Sequence, residues 1–155
     1  MVGRARAAII HASIAGGGLY DAMDADSGEL EALYSVYFDG NYFKEQFSEG
    51  VGSDLLYVSD VELIPGVRGR NIELAVVRRL CDTLGTGSEL VVVPYGDERE
   101  AASWGSMGFT KTEGASGLMH LSQAFVPPRI ARRDGEDRFR VQLTPAQERE
   151  RRGLH

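Results

Sequence analysis

The sequence pattern predicts a strand, a helix and a second strand in direct succession. This predicted order constrains the fold more than any other feature of the sequence. Residues 54–64 hold apolar side chains at a density that predicts a central strand rather than a solvated edge strand. Residues 69–84 then change to a helical period, in which apolar residues recur every fourth position from Ile72. The β-branched run at 90–93 predicts a buried strand parallel to the first, joined to it by a right-handed crossover.

Similar patterns predict the remaining elements. They are strands at 5–14, 109–112 and 118–121, helices at 27–38, 42–47 and 97–107, and a short strand at 19–23. Together they predict an α/β (mixed α+β) fold, with helices flanking a central twisted mixed sheet in a single domain of residues 1–126. We expect residues 127–155 to form a charged C-terminal arm that is partly disordered or docks, with a short strand at 139–143 and a short helix from Thr144.

Charge is unevenly spread along the 155 residues, whose formal net charge is −6. Residues 126–155 carry eight arginines against five carboxylates, whereas the rest of the chain carries nine basic residues against eighteen acidic ones. An acidic body argues against a nucleic-acid groove and favours cationic or amine partners. No apolar run reaches the length of about 18 to 20 residues that a membrane span needs, so we expect no membrane partner.

The cysteine and histidine content argues against a disulfide and against a metal site. Cys81 is the only cysteine, so an intramolecular disulfide cannot form, and we expect a reducing compartment, the cytoplasm. The position of Cys81 on the apolar face of a helix predicts a buried hydrophobic role rather than a nucleophile. His11, His120 and His155 lack the spacing of metal ligands, and we assign no metal.

Two segments resemble the signatures of the GNAT acetyltransferase superfamily. Residues 63–74, Leu-Ile-Pro-Gly-Val-Arg-Gly-Arg-Asn-Ile-Glu-Leu, are similar to its acyl-CoA-binding signature, in which a strand leads through V-x-P and R-x-x-G-x-G/A into a helix. Residues 101–109, Ala-Ala-Ser-Trp-Gly-Ser-Met-Gly-Phe, resemble its second signature, an alanine-bearing helix that reaches a Y-x-x-L-G-F turn. The spacing between the two blocks also fits, and the resemblance covers residues 54–122.

The resemblance implies that acetyl-CoA is the co-substrate. Its diphosphate is expected at backbone amides of the helix start, and its pantetheine between two strands that splay apart. Carried over residue by residue, the signature assigns cofactor binding to Val61, Leu63, Arg68, Gly69, Arg70, Asn71, Ile72 and Glu73. The family often uses a carboxylate on or near the central strand to help remove the amine proton, and Asp54, Asp60 and Glu62 are the candidates here.

Three residues depart from the family pattern. A tyrosine near the second signature often protonates the departing thiolate, but Trp104 occupies that position and an indole N–H cannot act as this acid, so Tyr95 is the candidate substitute. Asn71 replaces the first glycine, although asparagine tolerates a left-handed backbone better than most residues. Glu73 replaces the last small residue, and its carboxylate at about 5 Å from a phosphate would repel it by about 3 kcal/mol at an effective dielectric constant of about 20.

Three functions stay open on this basis. The first is an acyl-CoA-dependent N-acetyltransferase that acetylates a small-molecule or protein amine. The second is a catalytically degenerate protein of the same fold, which serves as a binding or oligomerisation module, for example as a homodimer. The third is a small α/β interaction domain whose basic arm docks to a partner.

Overall fold

The computed structural model describes residues 2–11, 28–50, 52–122 and 128–153, which have a mixed α/β fold. The strands are β1 (Gly3–His11), β2 (Phe38–Asp39), β3 (Tyr42–Phe43), β4 (Asp54–Leu63), β5 (Ser88–Pro94), β6 (Thr110–Lys111), β7 (Leu118–Ser122), β8 (Arg129–Arg132) and β9 (Phe139–Gln142). The helices are α1 (Gly28–Tyr37), α2 (Ile72–Thr83), α3 (Glu98–Ser106) and α4 (Pro145–Gly153), with short 3₁₀ turns at Glu45–Phe47 and Pro65–Val67.

The β4 strand lies inside a five-stranded sheet whose order is β1-β4-β5-β7-β6. It pairs antiparallel with β1 and parallel with β5, while β7 pairs antiparallel with both β5 and β6. The prediction of an internal strand with a parallel neighbour is therefore confirmed. Its physical cause is that residues 55–58 and 90–93 are all buried, so both strands need cover on each face and neither suits an edge.

Successive side chains of β4 and β5 alternate between two hydrophobic cores, one on each face of the sheet. The core on the α1 side contains Leu55, Tyr57, Leu90 and Val92 from the strands, with Leu33 and Tyr37 from α1. The core on the α2 and α3 side contains Leu56, Val58, Val91 and Val93, with Leu74, Val77, Cys81, Ala101 and Trp104 from the helices. The sheet is thus a middle layer with helices on both faces.

The predicted short helix at 42–47 is wrong. Phe38–Asp39 and Tyr42–Phe43 form a small antiparallel hairpin, and only Glu45–Phe47 makes a 3₁₀ turn. Gly40 has a φ of 63° at the turn, and the rings of Phe38 and Phe43 stack with centroids 4.6 Å apart. The segment that was expected only to end α1 therefore also reverses the chain, because a glycine with positive φ supplies a hairpin turn.

Some predicted positions lie outside the described residues. They are the short strand at 19–23, residues 12–14 of the first strand and residue 27 of the first helix. The other predicted strands and helices of the body are present with ends that differ by a few residues.

The C-terminal arm is folded where it is described. Strands β8 and β9 form an antiparallel hairpin that lies against α2, and α4 follows it. Ile130 and Val141 pack against the core on the α2 and α3 side, and Nη1 of Arg78 donates to the carbonyl oxygen of Pro128 at 3.1 Å. The strand and helix expected in the arm are present, whereas β8 was not predicted, because a single large apolar residue among arginines carries no strand pattern.

Candidate functional site

A cleft of about 740 Å³ opens where β4 and β5 separate, and we call it the β4–β5 cleft. The last paired residues of the two strands are Tyr57 and Val92, yet β4 continues to Leu63 and β5 to Pro94. Paired strands lie only about 4.7 to 4.9 Å apart, so a ligand fits between them only where they diverge. The divergence therefore creates space for an extended ligand next to unpaired strand edges.

The lining of the cleft comes from four parts of the chain. These are residues 58–61 of β4, residues 69, 71 and 73 around the start of α2, residues 94–97, 99, 100, 103 and 104 at the end of β5 and in α3, and Arg138 of the arm. Both signature-like segments thus border one cleft, which they approach from different sides. The arm contributes as well, although its sequence predicted no role there.

In the loop between β4 and α2, residues 64–71, the backbone amides of residues 69–71 have no described acceptor, and Gly69 and Asn71 border the cleft. Gly69 has a φ of 80° and Asn71 a φ of 56°, and α2 begins at Ile72 without a side-chain cap. The left-handed backbone that Asn71 was expected to tolerate is present. The first amide at the start of α2 with a backbone acceptor is that of Ala75, while within the described chain no acceptor takes the amides of residues 69–74. Such amides can bind an anion.

The start of α3, on the other side of the cleft, is capped by its own side chains. Oδ1 of Asp97 accepts from the amide of Glu100 at 2.8 Å, and Oε2 of Glu100 accepts from the amide of Gly96 at 2.9 Å. Asp97 is the N-cap of α3. Two of the carboxylates that line the cleft are therefore engaged in holding α3.

The candidate bases on β4 lie in different places. Asp60 borders the cleft and pairs with Arg6 at 3.5 Å. Glu62 is not part of the cleft lining and pairs with Arg4 at 2.6 Å, where the hydrogen bond and charge of Arg4 lower its pKa. Asp54 lies at the opposite end of β4, where its Oδ2 is 3.1 Å from Nδ1 of His11. Asp60 is thus the one predicted base that borders the cleft.

A β-bulge interrupts β4 at the cleft. Arg6 pairs with Asp60 and Ala7 with Val58, so Ser59 is an additional residue without a ladder partner in β1, although its hydroxyl donates to the carbonyl oxygen of Arg6 at 3.3 Å. A bulge leaves the local ladder disrupted and redirects the strand's groups. Ser59 lines the cleft, so this disruption falls where a ligand would contact β4. The alternating pattern of the sequence does not signal the bulge.

Tyr95 and Trp104 both border the cleft but differ in character. Tyr95 is half-buried, and Nζ of Lys111 lies 5.4 Å from its ring centroid. Trp104 is 5% exposed and its Nε1 has no hydrogen-bond partner among the described residues. The phenol of Tyr57 lies on the α1 side of the sheet and donates to Glu29. Within the described chain Tyr95 is the one phenol in the cleft lining.

The predicted cofactor-binding residues divide into two groups. Val61, Gly69, Asn71 and Glu73 border the cleft, whereas Leu63, Arg68, Arg70 and Ile72 are not in its lining. Arg68 instead folds back on the strand, since its Nε donates to the carbonyl oxygen of Leu63 at 3.1 Å. No described residue forms an ion pair with Glu73, so its carboxylate borders the cleft uncompensated.

Sequence reasoning missed Arg99 and Arg138 in the cleft lining. Arg99 could have been found from its place in the first turn of the predicted helix that follows the second parallel strand. Arg138 lies in a run of charged residues with no local pattern, so no sequence signal distinguishes it from its neighbours.

A second cavity of about 450 Å³ lies beside β7 and the arm and includes His120. The hydroxyl oxygen of Thr112 is 2.8 Å from that of Tyr37 and 2.7 Å from Nδ1 of His120. Burial lowers the pKa of His120. This hydrogen-bonded set lies on the α1 side of the sheet, and none of its members borders the β4–β5 cleft.

Comparison of the chain with protein-family models, curated proteins and solved structures gives no match. Among the residues with described positions, no three metal-binding side chains cluster to hold an ion. The same residues include no helix with the length and apolar content to cross a bilayer. The functional interpretation rests on the β4–β5 cleft, because residues of both signature-like segments border it.

Proposed function

We propose that this protein is an acyl-CoA-dependent N-acetyltransferase with a GNAT-like fold, which transfers an acetyl group from acetyl-CoA to an amine. The observation that carries the proposal is the convergence of both signature-like segments on the β4–β5 cleft. Gly69 and Asn71 border it from the first segment, and Ser103 and Trp104 border it from the second. Both segments therefore border one space, in which a single ligand would contact them together.

The cleft suits a ligand with an anionic end and an extended chain. The free amides of residues 69–74 would hold a diphosphate, because a helix start concentrates N–H donors and a positive dipole end. The unpaired edges of β4 and β5 beyond Tyr57 and Val92 would accept the amide groups of pantetheine as an additional strand does. Acetyl-CoA combines these features.

Transfer requires one exchange of bonds and one of protons. The amine nitrogen attacks the thioester carbonyl carbon, the new C–N bond replaces the C–S bond, the nitrogen loses a proton and the thiolate gains one. In our proposal Asp60 receives the proton that the amine nitrogen loses, directly or through water. Tyr95 supplies the proton that the thiolate gains. Backbone N–H groups at the Ser59 bulge polarise the carbonyl.

For the acceptor we propose a small-molecule or protein amine. The acidic body of the chain favours a cationic partner by electrostatic steering. With a single, buried cysteine the protein is suited to a reducing compartment, and we propose the cytoplasm.

A second function, ligand binding or oligomerisation without catalysis, is favoured by Glu73 and Trp104. The carboxylate of Glu73 borders the cleft without a cationic partner among the described residues, and opposes a diphosphate. Trp104 supplies no acid for a thiolate. The two functions differ in turnover, which an assay measures directly.

The first experiment measures binding of acetyl-CoA by calorimetric titration and by thermal unfolding. Ligand at about 100 times its dissociation constant should stabilise the folded protein by about 2.7 kcal/mol. Ser103→Trp places an indole in the cleft and should abolish this effect. Ala102→Trp is the matched control, because Ala102 is the exposed neighbour on the same helix and does not line the cleft. No stabilisation of the wild-type protein at millimolar acetyl-CoA would refute the transferase proposal.

The second experiment follows release of free thiol from acetyl-CoA in the presence of a panel of amines. We expect Tyr95→Phe to lower kcat by about tenfold or more. Binding without release of thiol by any amine would favour the binding module over the transferase. Normal turnover in Tyr95→Phe would remove Tyr95 from the mechanism and leave binding intact.

A further inference from the structure

The C-terminal arm is held against the β4–α2 loop by hydrogen bonds of its backbone. The amide of Phe139 donates to the carbonyl oxygen of Arg70 at 2.9 Å, and Nδ2 of Asn71 donates to the carbonyl oxygen of Phe139 at 2.8 Å. Phe139 also pairs with Arg132 across the hairpin. The backbone on either side of residue 139 is therefore fixed relative to the loop that carries the free amides.

Arg138 directly precedes this fixed residue and lines the β4–β5 cleft. Its side chain is exposed and forms no ion pair with any described residue. Arg99 lines the cleft from the first turn of α3 and likewise has no described ion-pair partner. The cleft therefore holds two guanidinium groups without a described ion-pair partner. Of the two arginines, Arg138 is the one next to Phe139, which hydrogen-bonds to the amide-bearing loop.

We propose that Arg138 binds a phosphate group of the ligand in the β4–β5 cleft, so that the arm forms part of the ligand site. This inference rests on the proposed function, since it takes the ligand to be a diphosphate-bearing acyl carrier. A guanidinium group binds phosphate oxygens through a planar pair of N–H donors and adds a full positive charge, which backbone amides do not carry.

The same assignment accounts for Glu73. A carboxylate in the cleft repels a diphosphate, but a guanidinium at a similar distance attracts it by a similar amount, because Coulomb energies of opposite sign offset one another. The glycines of the signature would need no such partner. A chain that carries Glu73 in the loop gains from an arginine supplied by another segment, and Arg138 is supplied by the arm.

The test compares Arg138→Gln with Arg132→Gln by calorimetric titration against two probes, acetyl-CoA and inorganic pyrophosphate. Arg132 lies on the same hairpin, is exposed and does not line the cleft, so the control removes an equal charge elsewhere. We expect Arg138→Gln to lower the affinity for both probes by about tenfold or more. Arg132→Gln should change these affinities by less than about twofold. The free energy of unfolding in urea, measured without ligand, should be the same for both variants, because neither arginine side chain has a described partner.

Each outcome decides one of the two claims. Unchanged affinity of Arg138→Gln for acetyl-CoA would overturn the role of Arg138 and leave the proposed function standing. Binding of pyrophosphate but not acetyl-CoA by the wild-type protein, weakened in Arg138→Gln, would keep the anion site and refute the proposed function. Equal losses in both variants would show a general effect of charge and overturn the inference, as would wild-type protein that binds neither probe.

Discussion

The side-chain amide of Asn71 donates a hydrogen bond to the carbonyl oxygen of Phe139 at 2.8 Å, across 68 positions of the chain. Asn71 is also the one described residue other than glycine with a positive φ, at 56°. Its side chain thus joins the arm to the β4–α2 loop while its backbone provides the left-handed turn before α2. Substitution can remove the side-chain role alone or both roles together.

Asn71→Gly keeps the left-handed backbone and loses the hydrogen bond, whereas Asn71→Ala loses both. We expect Asn71→Gly to lower the free energy of unfolding by about 1 kcal/mol, which is typical of one hydrogen bond. The free energy of unfolding of Asn71→Ala should be about 1 kcal/mol lower than that of Asn71→Gly, because an alanine Cβ is strained at positive φ. Urea denaturation measures both values. Equal stability of the two variants would contradict a strained left-handed site.

Glu73→Gln removes the negative charge and keeps the size of the side chain. We expect it to strengthen acetyl-CoA binding by about tenfold, equivalent to about 1.4 kcal/mol, because the carboxylate borders the cleft without a described cationic partner. Glu45→Gln is the control, since Glu45 is an exposed carboxylate outside the cleft lining. The gain should shrink as salt is added. Unchanged affinity in Glu73→Gln would show that the Glu73 carboxylate stays away from the ligand.

Cys81 should resist thiol reagents in the folded protein. Its side chain is 4% exposed, and burial raises its pKa to about 11, so little thiolate forms near neutral pH. We expect labelling by a disulfide reagent to be slow in buffer and complete in denaturant. The comparison needs only the wild-type protein. Rapid labelling of the folded protein, at the rate of an unfolded control, would show that the core on the α2 and α3 side opens readily.

The strand–helix–strand unit was predictable because each of its elements has a local period. Dense apolar residues with alternating faces predicted β4, and a four-residue period predicted α2. The small hairpin of β2 and β3 was not predictable in the same way. Residues 39–41 suit both a helix stop and a hairpin turn, and the pairing of β2 with β3 and the stacking of Phe38 on Phe43 favour the hairpin.

The site was predictable only in part, because some of its lining depends on contacts between distant parts of the chain. Gly69, Asn71 and Glu73 lie within five consecutive positions of the sequence, so a local signature indicated them together. Arg138 reaches the cleft through the hydrogen bonds between Phe139 and the loop, and no local pattern encodes a contact across so many positions. The ion pair of Glu62 with Arg4 on β1 is another contact between distant positions that no local pattern encodes.

A hydrogen-bonded set on the α1 side of the sheet predicts how stability depends on Thr112. Its hydroxyl contacts both Tyr37 at 2.8 Å and His120 at 2.7 Å, and Thr112 is 5% exposed. Thr112→Val keeps the shape and leaves the buried groups of its neighbours without this partner. We expect a loss of about 1 to 3 kcal/mol in the free energy of unfolding. A loss near zero in urea denaturation would show that water replaces the hydroxyl.

His120 should make the fold less stable in mild acid. Burial is the main cause that lowers its pKa below the ordinary value of 6.5, with the charge of Glu49 acting in the opposite direction. The unfolded chain then binds a proton more readily than the folded one, so this contribution is complete above about pH 6.5 and declines as the pH falls through that value. His120→Gln removes the titration, and its free energy of unfolding should change less than that of the wild-type protein between about pH 7.5 and pH 5. Parallel pH profiles of the two proteins in urea denaturation would show that His120 is not the group responsible, because the remaining titrating groups are common to both.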